Sequence, residues 1–351
     1  MNASRLPIAD LIAALRAHSP LSREDVELAA GFLLEPEADA ALKADFLRAL
    51  SQKGETDTEI ALFAEAFLQR AVDPELDPAQ MPGPLLDCCG TGGDKLDLFN
   101  VSTTSMFVLA AGGVCVVKHG NRSITSKCGG ADVLEALGVR IDLPPADFKR
   151  CMQEVGCGFM FAPYYHPSFK AVVPVRKALG AEGVATIFNL LGPILNPARP
   201  QYQLVGVFLK TALPKFAAVL RQLGRKRAWA VHGNAPDGAG MDELSTLGPT
   251  EVYEAREDGV CSHVIDPDAL GISGGSLGGL RGGDCAANAG ILLDVLRGTP
   301  GPKRDIVALN AAAGFVVAGL AGSLEGGLAL AGRMIDSGRA LAKFEALRDF
   351  R

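Results

Sequence analysis

Two hydrophobic rhythms divide the chain. From residue 6 to 72 apolar positions return at helical spacing, as in Leu11, Ile12 and Leu15, in Leu42, Phe46, Leu47 and Leu50, and in Ile60, Phe63 and Phe67. Ser22 followed by Asp25 and Glu27 marks one helix start. Thr56 with Glu59 three residues on marks another, after the break at Lys53-Gly54-Glu55-Thr56. No strand pattern occurs in this segment, and residues 73–84, rich in Pro and Asp, read as a linker.

Beyond it the period changes. The apolar run Pro84–Leu86 leads into Gly90-Thr91-Gly92-Gly93-Asp94. Asn100-Val101-Ser102-Thr103 opens a helix, and Val114–Val117 forms a strand that delivers Lys118-His119-Gly120-Asn121-Arg122-Ser123. Residues 131–139 read as helix, Val139–Leu143 alternates like a strand, and Phe148–Val155 is helical. Residues 156–200, dense in Pro and Gly, read as loops and crossovers. Gln203–Phe208, Leu213–Leu223 and Arg227–Val231 read as strand, helix and strand. Glycine-rich turns at 271–296 precede a helix from Pro302 to Ala313 and a helical end over 315–349. Strand–helix alternation predicts a mainly parallel central sheet flanked by helices, with ligands at the strand C-terminal ends. The fold class is therefore α/β: a small all-helical N-terminal domain plus a larger α/β domain.

Composition narrows the function. With 351 residues, 48% of them hydrophobic and 21% charged, the chain can bury a substantial core and is not a disordered sequence. A net charge of −6 without a basic tail disfavours a nucleic-acid role. The eight cysteines make no zinc-type CxxC pairs and read as small apolar fillers, reduced in a cytoplasm. No apolar run approaches the roughly eighteen residues of a membrane span.

Two glycine or hydroxyl loops and a cationic loop, all at strand ends within residues 87–138, point to a phosphorylated ligand. Glycines let backbone N–H groups crowd an anion, and a helix N-terminus adds its dipole. Asp242-Glu243, after His232-Gly233 and a glycine-rich loop, is a candidate Mg²⁺ pair, because Mg²⁺ takes one or two carboxylates together with phosphate oxygens and water. Alone, such a pair is ordinary solvated surface. Lys118 supplies a compact charge suited to phosphate. Arg176 is a candidate for a carboxylate, with bonding to helix carbonyls or to an Asp or Glu equally open from the residues alone. Cys88 and Cys89 lack a partner base and read as core fillers.

The motifs at 90–94, 100–103 and 118–122, with Ala131-Asp132-Val133-Leu134-Glu135-Ala136-Leu137-Gly138, resemble the anthranilate phosphoribosyltransferase family in order and spacing. That resemblance covers nearly the whole chain. It implies transfer from phosphoribosyl pyrophosphate to the amine of anthranilate, releasing pyrophosphate, in tryptophan biosynthesis. It also implies Mg²⁺, a cytoplasmic homodimer built through the helical domain, and no membrane or nucleic-acid partner. It places the helical domain at 1–75, joined by about 165–190, and the α/β domain at 76–164 and 191–351. By resemblance Gly90, Thr91, Gly92, Gly93, Asp94, Asn100, Ser102, Thr103, Lys118, Asn121 and Arg122 bind substrate. Ser102 joins Asp242 and Glu243 at metal. Lys118 faces pyrophosphate, while His119, Asn121, Arg176 and Pro193 surround the aromatic acceptor.

The chemistry expected is electrostatic and positional, with Lys118, His119 and Arg176 as its catalytic candidates. An aromatic amine is already uncharged near neutral pH, so a general base is not required. The demanding step is loss of pyrophosphate through an oxocarbenium-like state. The chain departs from the family pattern at Lys95–Phe99, at Gly180–Ala185, and at Cys128-Gly129-Gly130, where a serine-rich run is usual; Cys128 is carried as a substrate-side position. Two alternatives stay open: a same-fold transferase or phosphorylase with another acceptor, and a non-catalytic nucleic-acid-binding relative.

Overall fold

The computed structural model describes residues 8–123, 127–272 and 275–351; the expectations for positions 6–7, 124–126 and 273–274 lie outside the described residues. The chain divides into two compact units, Met1–Val72 with Pro163–Pro197, and Asp73–Ala162 with Ala198–Arg351.

The first unit is helical. Helices Ile8–Arg16, Arg23–Leu34, Ala40–Lys53 and Asp57–Leu68 bury Leu11, Leu15, Val26, Leu33, Phe46, Leu50, Phe63 and Phe67. The returning segment adds helix Val173–Ala181 and a short turn, Phe188–Leu191. An aromatic chain ties the two parts of this unit together. Phe67 stacks on Phe188 at 5.5 Å and meets Phe169 edge-on at 5.2 Å.

The Thr56–Glu59 capping box forms, and Glu59 does more than cap. Its carboxylate accepts from Thr56 N and from Leu21 N, both at 2.9 Å, and pairs with Lys53 Nζ at 2.6 Å. Both side chains are nearly fully buried, at 5% and 1% exposure. Burial pushes the Glu59 carboxyl up, but Lys53 and the N–H and O–H donors outweigh it, so its pKa lies below the ordinary value.

The second unit is built on one sheet. Its strands are β1 (Leu85–Gly90), β2 (Cys115–Gly120), β3 (Cys157–Phe161), β4 (Tyr202–Gly206), β5 (Arg227–Asn234), β6 (Gly240–Met241), β7 (Thr250–Arg256) and β8 (Gly259–Ile265). The order is β3-β2-β1-β4-β5-β7-β8, with β6 on β5. The first five strands run parallel, and β6, β7 and β8 are antiparallel additions. Helix Val101–Ala111 is buried along almost its whole length, between the sheet and helices Pro302–Val317 and Arg339–Asp349. Among the described residues no helix is long and apolar enough to cross a membrane.

Three sequence expectations change. Val139–Leu143 is not a strand. Its alternation survives as burial, with Val139, Ile141 and Leu143 inside and Arg140 and Asp142 outside. The edge of β2 that it could have joined is taken by β3. The segment 156–200, read as loops, holds β3 and helix Val173–Ala181, because Cys157-Gly158-Phe159-Met160-Phe161 pairs with β2 in the core. The turns read over 271–296 give way to helix Cys285–Leu296, capped by Asp284, whose carboxylate accepts from Ala287 N at 2.9 Å. The β7–β8 hairpin was not foreseen at all.

Glu59→Gln should cost about 3–5 kcal/mol, because it leaves the Lys53 ammonium buried without its partner. The sign of the pH effect follows from the depressed pKa. The Glu59 contribution is present above the unfolded carboxyl pKa and is lost as pH falls through the folded one. Urea unfolding of both proteins at neutral and acidic pH checks this; a gap that does not narrow in acid would contradict it.

Candidate active site

Four strand ends and one helix start converge in the second unit. The turn after β1 needs Gly92 and Gly93 at φ +70° and +93°, a region that side-chain-bearing residues rarely adopt. Its backbone turns Gly92 N toward Asp242 and donates to Oδ2 at 2.7 Å. Gly90 is a close approach: a Cβ there would collide with the Asp242 carboxylate. Thr91 N donates to Gly206 O at 2.9 Å, locking the turn to the end of β4, and Thr91 Oγ1 accepts from Phe208 N at 3.0 Å.

Helix Val101–Ala111 lacks a side-chain cap, because Asn100 is used elsewhere. Asn100 Nδ2 donates to Cys128 O at 3.1 Å, and Asn100 Oδ1 accepts from Asn288 Nδ2 at 3.0 Å. The free N–H at the helix start goes instead to Glu243: Ser102 N donates to Oε1 at 3.2 Å. A carboxylate at a helix N-terminus gains from the dipole and from the orphan donors. Lys118, at the end of β2, donates from Nζ to Cys88 O at 2.6 Å and to Ser102 Oγ at 3.1 Å. Lys118, Ser102, Glu243, Asp242 and Gly92 thus form one connected cluster.

The carboxylates in it are strained electrostatically. Burial raises the pKa of both Asp242 and Glu243. Asp94 pushes Asp242 further up, and Asp242 pushes Glu243 further up despite Lys118 nearby. Three acidic groups are crowded here while backbone donors satisfy only part of their oxygens. Such a set suits a hard divalent cation that brings water and phosphate oxygens to complete its shell. Among the described residues no group of three or more His, Cys, Asp and Glu is arranged to hold a metal.

The remaining candidates fall as follows. Asp94 Oδ1 accepts from Leu96 N at 3.1 Å. Thr103 is buried behind Ser102. His119 is 7% exposed, and its N donates to Asp87 Oδ1 at 3.3 Å. Asn121 Oδ1 accepts from Arg122 N at 2.7 Å. Arg122 is held by Glu135 through two bonds, of 3.0 and 2.7 Å, and lies over the Phe161 ring. Cys128 is buried beside Gly129. The Cys88 thiol is pushed up to about 12 by burial, which suits a core filler and not a nucleophile.

Arg176 and Pro193 belong to the helical unit. Pro193 is buried in a 3₁₀ turn. Arg176 stacks its guanidinium 4.8 Å over the Phe188 ring, and burial lowers its pKa. Among the described residues it makes no ion pair, so the Asp or Glu partner left open from sequence is not taken. His166 is structural: Nε2 donates to Leu195 O at 2.8 Å.

Sequence reasoning missed three supporting residues. Asn310 holds Leu244 by both backbone groups, accepting from Leu244 N and donating to Leu244 O at 3.0 Å each, and so fixes the chain just after Glu243. Asp87 lies fully buried under His119; a lone acid within the apolar strand Leu85–Cys89 was its signal. His232 Nδ1 donates to Val207 O at 2.8 Å and packs against Gly240, two residues before Asp242.

Comparison with known proteins gives a consistent result. Residues 82–341 match the glycosyl transferase family a/b domain, and residues 9–71 match its helical bundle domain. The chain is 42% identical over 341 residues to the anthranilate phosphoribosyltransferase of Desulfatibacillum aliphaticivorans, covering 97% of this chain and 98% of that one. Among solved structures it is similar to anthranilate phosphoribosyltransferase from Thermus thermophilus, with 39% identity, coverage of 97% and 99%, and a TM-score of 0.87. It is also similar to the Saccharomyces cerevisiae enzyme solved in complex with PRPP and Mg, with 26% identity, 97% of each chain covered and a TM-score of 0.85.

Gly90→Ala should displace the Asp242 carboxylate and lower turnover about tenfold or more while the fold persists. Steady-state rates alongside circular dichroism check this; an unchanged rate would show that the close packing is not needed.

Proposed function

Because the chain belongs to the anthranilate phosphoribosyltransferase family, we propose that it transfers the phosphoribosyl group of phosphoribosyl pyrophosphate to the amine of anthranilate, releasing pyrophosphate, the reaction of tryptophan biosynthesis. The observation that carries this reading for its own residues is the connected cluster of Gly92, Ser102, Lys118, Asp242 and Glu243. It joins an anion-binding turn and a helix N-terminus to a cation and a carboxylate pair.

In this reading Asp242 and Glu243 hold Mg²⁺, with Ser102 beside them. Bound Mg²⁺ supplies positive charge against the pyrophosphate oxygens as the ribosyl bond breaks. Lys118 adds a second charge, pinned by Cys88 O and Ser102 Oγ so that it needs little reorganisation. The turn Gly90–Asp94 and the start of helix Val101–Ala111 offer N–H donors to the leaving group. No residue acts as a nucleophile: the buried Cys88 thiol is kept protonated. The amine's lone pair is available without a base, so the protein's part is to orient it. Arg176, without an ion pair among the described residues, takes the carboxylate of the acceptor. We place the enzyme in the cytoplasm as a homodimer built through its helical unit, a state that light scattering decides.

An assay following anthranilate consumption and pyrophosphate release should give equal amounts of both, dependent on Mg²⁺. Asp242→Asn with Glu243→Gln should shift the Mg²⁺ requirement upward and cut the rate while sparing the fold. No turnover of anthranilate at saturating donor and Mg²⁺ would overturn the assignment. Arg176→Ala should raise the KM for anthranilate about tenfold or more and leave that for the donor nearly unchanged; equal effects on both would remove Arg176 from the acceptor side.

A further inference from the structure

Two cysteines that the reaction does not use meet beside the cationic loop. Cys128 follows the loop that starts at Lys118 and is 5% exposed. Cys285 is the first residue of helix Cys285–Leu296 and is only partly buried. The Cys285 thiol lies 4.0 Å from Lys127 O, the carbonyl of the residue that precedes Cys128, so the two cysteines are neighbours. Asn288, on the helix that Cys285 starts, ties the two places together: it donates to Asn100 Oδ1 at 3.0 Å, whose Nδ2 in turn holds Cys128 O at 3.1 Å, and it accepts from Gly283 N at 2.8 Å. Three segments distant in sequence are therefore pinned around two adjacent sulfurs, and all eight cysteines of the chain are free thiols.

We propose that Cys128 and Cys285 form a peroxide-sensitive dithiol that closes reversibly to a disulfide and moves the Cys128–Gly130 segment out of its working position. Hydrogen peroxide oxidises the more accessible Cys285 thiol to a sulfenic acid and is itself reduced, releasing one water. The Cys128 sulfur gives up its proton and attacks the Cys285 sulfur, expelling the hydroxyl as a second water. Two thiols and one peroxide become one disulfide and two waters. Burial and the neighbouring Cys285 thiol raise the pKa of Cys128, which keeps it from reacting first and suits it to the resolving role.

The link to function is steric. Closing the pair brings the sulfurs to about 2 Å with a fixed Cβ–S–S–Cβ dihedral, which pulls the Cys128 segment and the helix start toward one another. Gly130, two residues on, is packed so tightly that a Cβ there would stand 3.0 Å from Thr103 Oγ1 and 3.8 Å from Lys118 Cε. A shift of Cys128 also strains the Asn100 Nδ2 bond to Cys128 O. Movement at Cys128 is thus passed directly to Lys118 and to the start of helix Val101–Ala111. This consequence for rate rests on the proposed function, whereas formation of the disulfide does not.

The test treats the reduced full-length protein with hydrogen peroxide, alkylates the remaining thiols and maps the peptides without reduction. The expected result is a linked Cys128–Cys285 peptide, a fall of at least about fivefold in kcat/KM for the donor, and recovery with dithiothreitol. Cys285→Ser and Cys285→Ala should match the parent when reduced and keep their rate after peroxide. Absence of the linked peptide while the exposed Cys261 is oxidised would overturn the dithiol. An unchanged rate in the linked protein, or equal inactivation of the Cys285 variants, would overturn the switch. Should anthranilate turnover itself be absent, the linked peptide remains measurable, and calorimetric affinity for phosphoribosyl pyrophosphate replaces the rate.

Discussion

The α/β unit holds two carboxylates, Asp242 and Glu243, where loss of water and neighbouring acids make their charged forms costly. Asp242 is steadied by Gly92 N and Glu243 by Ser102 N, the first from a glycine turn and the second from the open end of a buried helix. These donors keep the pair in place without neutralising it. Burial and mutual repulsion leave a standing demand for positive charge, partly met by Lys118. The rest of the unit serves that arrangement. Parallel strands bring Gly90, Gly120 and Gly206 to one edge, Asn310 clamps Leu244, and His232 supports the approach to Asp242.

The helical unit solves a different problem. It carries Arg176, which in our proposal meets the acceptor's carboxylate and which stacking holds in place. Stacking on Phe188 fixes the Arg176 guanidinium without spending its hydrogen-bond donors, and Phe188 is itself held by Phe67 and Phe169. The same unit buries the Lys53–Glu59 pair, where a single carboxylate ends one helix loop, starts the next helix and takes the N–H of Leu21. Rigidity is obtained there by satisfying charge, whereas Asp242 and Glu243 are held by backbone donors while burial and mutual repulsion keep their pKa values raised.

Much of this was legible in the chain, where local rules dominate. The Thr56–Glu59 box, the glycine turn before Asp94, the alternation of strand and helix and the Asp242-Glu243 pair all announce themselves by short spacing. What stayed hidden depends on distant partners. Glu243 caps a helix 141 residues away, which no local pattern encodes. Val139–Leu143 alternates as a strand should, but pairing depends on a free sheet edge, and β3 occupies it. The β7–β8 hairpin escaped because β8 faces solvent along most of its length, with only Ile265 buried, so its apolar positions carry no periodic signal. That Arg176 would stack on the Phe188 ring could be read only from packing.

The central claim is that the carboxylate pair is completed by a cation brought together with the donor's pyrophosphate. Calorimetric titration of phosphoribosyl pyrophosphate into the protein, at several Mg²⁺ concentrations and with a chelator, tests it most directly. Reciprocal coupling is expected: donor affinity rises steeply with Mg²⁺, and Mg²⁺ affinity rises by the same factor with donor. Equal donor affinity with Mg²⁺ and with the chelator would contradict it.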